Sequence, residues 1–247
     1  MTENQPTTSV VDGDRVRRFN ANMRVQHFIL LALLIVLSFT GLTLTLHDTW
    51  IATIMIKLEG GFESRGWIHR ASAVILMFVA VYHFYYVVMT EEGHREMMLL
   101  KPTSKDFADF LQQTKYNLGK SDVMPKFHKY SFGQKFQYWG LVLGVVFIAI
   151  TGIPLWAKND MMAIMPRWVM VLILMIHGQQ GLLIFLVLFL WHVYNVHLRP
   201  GAFPWNPSFI TGDITLDKLK EEHALEYEEL TTAQKKTSEV SEGRKGK

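Results

Sequence analysis

The chain carries ten histidines and no cysteine among 247 residues, so any metal or redox chemistry it performs must be held by imidazole. Two of those histidines, His177 and His192, open and close HGQQGLLIFLVLFLWH, inside a stretch from Trp168 to Val196 that contains no Lys, Arg, Asp or Glu. A run of that length is enough to cross a hydrocarbon layer of ~30 Å, and ionisable residues inside such runs default to a functional reading. The 192 − 177 = 15 steps between them put the rings roughly 22 Å apart along a helix rising ~1.5 Å per residue, one toward each face of the layer. A lone intramembrane histidine is as often bonded to a serine or a backbone carbonyl of a neighbour. The argument therefore turns on where the other histidines fall.

The elements that must position them are long and apolar. Hydrophobic residues make up 49% of the chain and gather into four runs, at about 25–46, 67–89, 136–156 and 168–196. Each is long enough to span a bilayer, which predicts an all-α integral membrane protein built as a four-transmembrane-helix bundle. The first run starts too far in and is too long for a cleaved signal peptide. Arg15, Arg17, Arg18 and Arg24 precede it, and eight basic residues lie between Arg95 and Lys135, whereas the other two loops are sparse in Lys and Arg. The positive-inside rule then places both termini and the long middle loop in the cytoplasm, and explains the net charge of +3 without nucleic acid. The expected organisation is a cytoplasmic arm over 1–24, a membrane domain over 25–198 and a cytoplasmic tail over 199–247. Residues 1–14 read as a mobile arm and the tail as a helix over about 216–230 followed by disorder. A further helix is expected over about 104–116, capped by Ser104, and the first and third spans read as ending at Thr40-Gly41 and Thr151-Gly152.

With this topology His27, His83 and His192 share the inner depth, and His69 and His177 the outer. In the second helix 83 − 69 = 14 residues turn roughly 1400°, about 40° short of four turns, so both rings leave nearly the same face. The third helix has no histidine. Haem b takes two axial imidazoles per iron, so two layers of histidine predict two haems b stacked across the membrane. Zinc needs three or four ligands in one cluster, which two separated layers do not supply. Gly181, four residues after His177, would let a flat porphyrin lie against the helix backbone, while Gly178 suits helix packing. His47, His94 and His128 read as surface residues. Spacing alone makes His83 the mirror of His69 and hence a partner for His192.

The motifs MRVQHF, FTGL, HRASAV, KYSFGQKFQYW, ITGIPLW, HGQQG, WHVY and SFITGDITLDKLKEEHALEY, spread over about residues 15–230, resemble the four-helix di-haem cytochrome b subunit of membrane-bound formate dehydrogenases. More distantly they resemble the cytochrome b subunits of nickel–iron hydrogenases and thiosulfate reductases. The resemblance implies His69 with His177 on the outer haem and His27 with His192 on the inner one. It also implies quinone exchange beside the inner haem, near Ser131, Gln134 and His192. Departures are Ser131, where the family pattern has Asn, and His83, which has no counterpart. His177 and His192 are also one residue farther apart than in the pattern.

The resulting expectation is a subunit of a respiratory complex in a bacterial cytoplasmic (inner) membrane. It would pass electrons between membrane quinone, menaquinone or ubiquinone, and an iron–sulfur or multihaem cytochrome subunit at the outer face, with no substrate catalysis of its own. The alternatives are a haem-free anchor for a peripheral redox enzyme and a transporter using the histidines as a proton relay.

Overall fold

The computed structural model describes residues 9–203 and 205–245. The first eight residues of the expected arm, Pro204 and the last two residues of the expected tail lie outside that range. The elements run β1 (Ser9–Asp12), β2 (Arg15–Arg17), α1 (Ala21–Thr45), α2 (Trp50–Leu58), α3 (Phe62–Met89), α4 (Glu91–Leu100), α5 (Ser104–Asn117), α6 (Phe132–Trp156), α7 (Lys158–Ile164), α8 (Arg167–Leu186), α9 (Ser208–Thr211), β3 (Asp213–Thr215), α10 (Leu216–Glu222) and α11 (Ala224–Lys245). Between α8 and α9 the chain continues as two π-helical segments, Val187–His192 and Tyr194–Leu198.

Four of these helices are long and apolar enough to cross a membrane: α1, α3, α6 and the continuous Arg167–Leu198. At most 22% of any spanning window is buried within the protein, and Phe78, Val81 and Leu143 are each about two-thirds exposed or more. Apolar surface on that scale is stable only against lipid. The spans exceed the apolar runs because polar turns at each end remain helical. In the same way α1 and α6 run through Thr40-Gly41 and Thr151-Gly152 instead of ending there, and Pro154 is accommodated inside α6. A backbone surrounded by hydrocarbon has no water to turn to, so small and β-branched residues that end helices in solution are carried within them.

The chain forms two compact units. One comprises Val25–Tyr85 and Gly140–Asn206. Within it, side-chain contacts tie α1 to α3 through Thr40 and His69, α6 to α8 through Thr151 and His177, and α1 to the π-helical continuation of α8 through His27 and His192. The connection from α1 to α2 folds back so that Thr43 meets the buried Glu59 carboxylate at 2.9 Å.

The other unit comprises Met1–Arg24, Tyr86–Trp139 and Pro207–Lys247. Where a mobile arm was expected, β1 pairs with β2, and β2 with β3, in an antiparallel sheet of three short strands. Val16, Ile214, Leu219 and Leu230 form its fully buried cluster, so the N-terminal residues are held by a partner strand 200 residues away in sequence. Gly212 turns into β3 with φ +84°, and its carbonyl accepts from the Arg18 and Phe19 amides; a Cβ there would come within 2.5 Å of the Phe19 carbonyl oxygen. Buried charges are paired: Arg18 with Glu226 at 3.5 Å and with the Lys129 carbonyl, and Lys129 with Glu96, which also accepts from the Tyr130 hydroxyl at 2.7 Å. Burial, then the Glu96 carboxylate, push the Tyr130 phenol well above its usual value, so it stays protonated and donates to Glu96.

Two further expectations change here. The cap of α5 is Thr103, not Ser104: its amide and hydroxyl both donate to Asp106, at 2.6 and 2.8 Å, closing a capping box that Ser104 cannot form because Phe107, three residues after it, has no acceptor. The tail remains helical to Lys245 rather than giving way after Leu230; the good helix formers Ala, Gln, Lys, Arg and Glu fill eight of its last fifteen described positions and no proline interrupts them.

Candidate functional site: two histidine pairs in the spanning helices

The structure gathers four of the five intramembrane histidines into two facing pairs. His69 of α3 stands opposite His177 of α8, with ring centroids 6.4 Å apart and ring planes 71° to one another. His27 of α1 stands opposite His192, with centroids 6.3 Å apart and planes at 44°. All four residues are half-buried, in helices that are mostly apolar. These are the pairs named by motif resemblance, and not the pair His83–His192 that spacing suggests. His83 instead meets the Gln26 amide oxygen at 2.8 Å through Nδ1.

The spacing within the pairs has a chemical meaning. Two imidazole nitrogens about 2.0–2.1 Å from opposite sides of one metal ion, each ring centre lying roughly 1.1 Å behind its nitrogen, put the centroids about 6.3 Å apart. Rings stacked directly on one another would be closer; the His197 and Trp205 rings, for example, stack at 4.4 Å. Among the described residues no group of three or more His, Cys, Asp or Glu could hold a metal ion. A site with two imidazoles and nothing else suits a metal whose other positions are already filled, as iron's four equatorial positions are in a porphyrin.

The backbone of the fourth span places His192. From Val187 the hydrogen bonds run i→i+5; the Val193 amide, for instance, donates to the Leu188 carbonyl, and the Arg199 amide to Tyr194 at 2.9 Å. In an uninterrupted α-helix the 15 steps from His177 would overshoot four turns by about 60°. Five steps at the roughly 82° of a π-helix bring the total to about 30° short of four turns, close to the phase of His69 and His83. The π segment therefore absorbs the extra residue between the two histidines. It also puts His197 one π-turn beyond His192, on the same side of the helix, where it stacks on Trp205 with ring planes 17° apart.

The His69 and His177 rings are each also held by a hydroxyl. Thr40 Oγ1 lies 2.8 Å from His69 Nδ1 and 2.8 Å from the Val36 carbonyl one turn back. Thr151 Oγ1 lies 3.0 Å from His177 Nδ1 and 3.0 Å from the Phe147 carbonyl. In both cases the next residue is glycine. A Cβ on Gly152 would approach His177 Cε1 to 3.1 Å, and one on Gly41 would lie 3.6 Å from His69 Cε1. The Arg65 guanidinium, itself buried, donates to the Thr40 carbonyl at 2.9 Å. Reading the Thr-Gly pairs as helix ends concealed this role; their occurrence twice, each in the span before a histidine-bearing one, was the available signal.

The remaining expected site residues have other surroundings. A Cβ on Gly181 would lie 3.7 Å from Ile148 Cδ1, so an α6 side chain faces that glycine. Ser131 and Gln134 cap α6 reciprocally: the Ser131 amide donates to Gln134 Oε1 at 2.9 Å, and the Gln134 amide to Ser131 Oγ at 3.4 Å. Both belong to the sheet-containing unit and His192 to the membrane unit. A cavity of about 310 Å³ lies along the first turns of α3, lined by Phe62, Glu63, Arg65, Gly66, Trp67 and Arg70. A scan against protein-family models finds none that matches the chain, and a search of curated proteins likewise finds no match.

Proposed function

We propose that the protein is a membrane cytochrome b subunit of a respiratory oxidoreductase complex, holding one haem b between His69 and His177 and a second between His27 and His192. The observation that carries this reading is the pair of opposed imidazole couples, 6.4 and 6.3 Å between centroids, inside helices long and apolar enough to span a membrane. Haem b bound there would supply one-electron chemistry at two depths of the bilayer.

The chain's own contribution is binding and orientation. The four histidines offer ring nitrogens in an apolar setting, the spanning helices exclude water, and the clearance beside His177 depends on Gly152. Electrons pass between a diffusible quinone, menaquinone or ubiquinone, near the His27–His192 pair and a redox subunit, iron–sulfur or multihaem, at the opposite face. Charge placement supports a bacterial cytoplasmic membrane with both termini inside. Ser131 and Gln134 reach a quinone only by giving up part of their capping of α6.

The test is reduction of the purified protein in lipid nanodiscs by an added quinol. The proposal expects the b-type absorption to appear with both haems reducible, and Gln134→Ala to slow quinol-driven reduction without loss of haem. A protein that carries haem but accepts no electrons from menaquinol or ubiquinol overturns the quinone assignment. A protein without haem overturns the whole reading and leaves the anchor or the proton relay.

A further inference from the structure

The two Thr-Gly steps do the same thing in two different helices. Thr40-Gly41 in α1 faces His69 in α3, and Thr151-Gly152 in α6 faces His177 in α8. In each, the threonine hydroxyl sits within hydrogen-bond distance of both an i−4 carbonyl and the histidine Nδ1. A hydroxyl has one proton to give. Back-bonding to the helix carbonyl, a common habit of threonine in apolar helices, uses that proton and leaves only a lone pair for the ring. The ring must then donate from Nδ1, which leaves the Nε2 lone pair as its one free acceptor.

We propose that Thr40 and Thr151 are positioning residues that fix the Nδ1–H tautomer and rotation of His69 and His177, and so set the affinity and reduction potential of the metal group between them. This rests on the proposed haem reading. A donated Nδ1–H raises the basicity of Nε2, which favours the more positively charged, oxidised metal. Because both ligands of this pair carry a hydroxyl acceptor, the effect acts from both sides of one centre. Gly152 is part of the same device, since a Cβ there would crowd His177 Cε1 to 3.1 Å, whereas one on Gly41 would meet His69 Cε1 at an ordinary 3.6 Å.

The experiment compares Thr40→Val, Thr151→Val, Thr40→Ser and Thr151→Ser in the full chain, purified in detergent. The readouts are haem content, a spectroelectrochemical titration and the low-spin electron paramagnetic resonance signals. Valine preserves shape and removes the acceptor; serine restores it. Each valine variant is expected to raise one of the two midpoint potentials by about 30–60 mV, three- to tenfold in the reduction equilibrium at 59 mV per decade. It should also shift the g-values of that centre, leave the other centre unmoved and weaken haem retention ten- to a hundredfold. Serine variants should return close to wild type.

Valine variants with two haems and wild-type potentials and g-values overturn this inference while leaving the haem reading intact. So do serine variants indistinguishable from valine. A wild-type protein without haem overturns both. If a valine variant fails to accumulate, Thr40→Ala or Thr151→Ala replaces it: a wild-type potential with serine and a raised one with alanine at the same position is the expected pattern, and equal potentials overturn the inference.

Discussion

The two histidine pairs share only the fourth span and are built by different means. In the His69–His177 pair each ring hangs on a threonine hydroxyl from a neighbouring span, and regular α-helix carries both residues. In the His27–His192 pair the fourth span leaves α geometry before it delivers His192, so the backbone sets the ring's direction. The first kind of construction ties orientation to a few removable side-chain atoms. The second ties it to residue count, so it tolerates side-chain changes and responds to insertions and deletions. Ring spacing is nearly the same in both, 6.4 and 6.3 Å, so the difference lies in how the rings are held.

Ligand removal should produce the largest effects. His177→Ala and His192→Ala are each expected to lose one of two haems, halving the reduced-minus-oxidised amplitude, with different residual spectra because different centres survive. His27→Ala should match His192→Ala, whereas His83→Ala should keep both haems, its Nδ1 being 2.8 Å from Gln26 in the structure. Loss of a haem in His83→Ala with retention in His27→Ala would reassign the pair.

Changes of length come next and should separate the two constructions. Deleting Leu190 lets the π segment relax to α-helix, with 14 steps at about 100° holding His192 within roughly 40° of four turns; the haem at His27–His192 should persist. Inserting one alanine after Phe189 swings His192 by roughly 80–100° and should abolish that haem while sparing the other. Equal outcomes for the deletion and the insertion, read by haem content, would remove the role given to the π segment.

Glycine substitutions should be weaker and graded. Gly152→Ala brings a methyl to 3.1 Å from His177 Cε1, so the ring must shift, whereas Gly41→Ala meets His69 at an ordinary 3.6 Å. The first should perturb the resonance signal of the His69–His177 centre and lower its occupancy severalfold, and the second should do so little. The reverse order would contradict the described packing.

The smallest effect is expected outside both pairs. At Asp106, burial acts to raise the carboxyl, but hydrogen bonds from Lys135 and Thr103 outweigh it and hold the group below its usual value of 3.8. Its contribution to α5 is thus present above about pH 4 and lost as the pH falls through the lower folded value. Asp106→Asn should cost about 1 kcal/mol of local stability, speeding amide hydrogen exchange in α5 about fivefold at neutral pH, with both haem spectra unchanged.

Much of this architecture was legible in the residues. Four charge-poor runs of bilayer length announced four spanning helices, since nothing but lipid stabilises them. What the runs concealed were the ends, because Thr-Gly reads as a terminator only where water is available to the freed backbone. Period-based reasoning brought His83 forward because it assumed 100° per residue throughout; the i→i+5 hydrogen bonds after Leu186 leave no compositional mark in VLFLWH. The small sheet was illegible for another reason. Its strands are three or four residues long and come from opposite ends of the chain, and no local pattern connects Val16 with Ile214.

The most direct test of the central claim is the haem content of the purified wild-type chain by pyridine haemochrome, set against protein from amino-acid analysis. Two b-type haems per chain, both low-spin with bis-histidine signals, is the predicted result. A ratio of one or none, or a high-spin centre at either position, contradicts it.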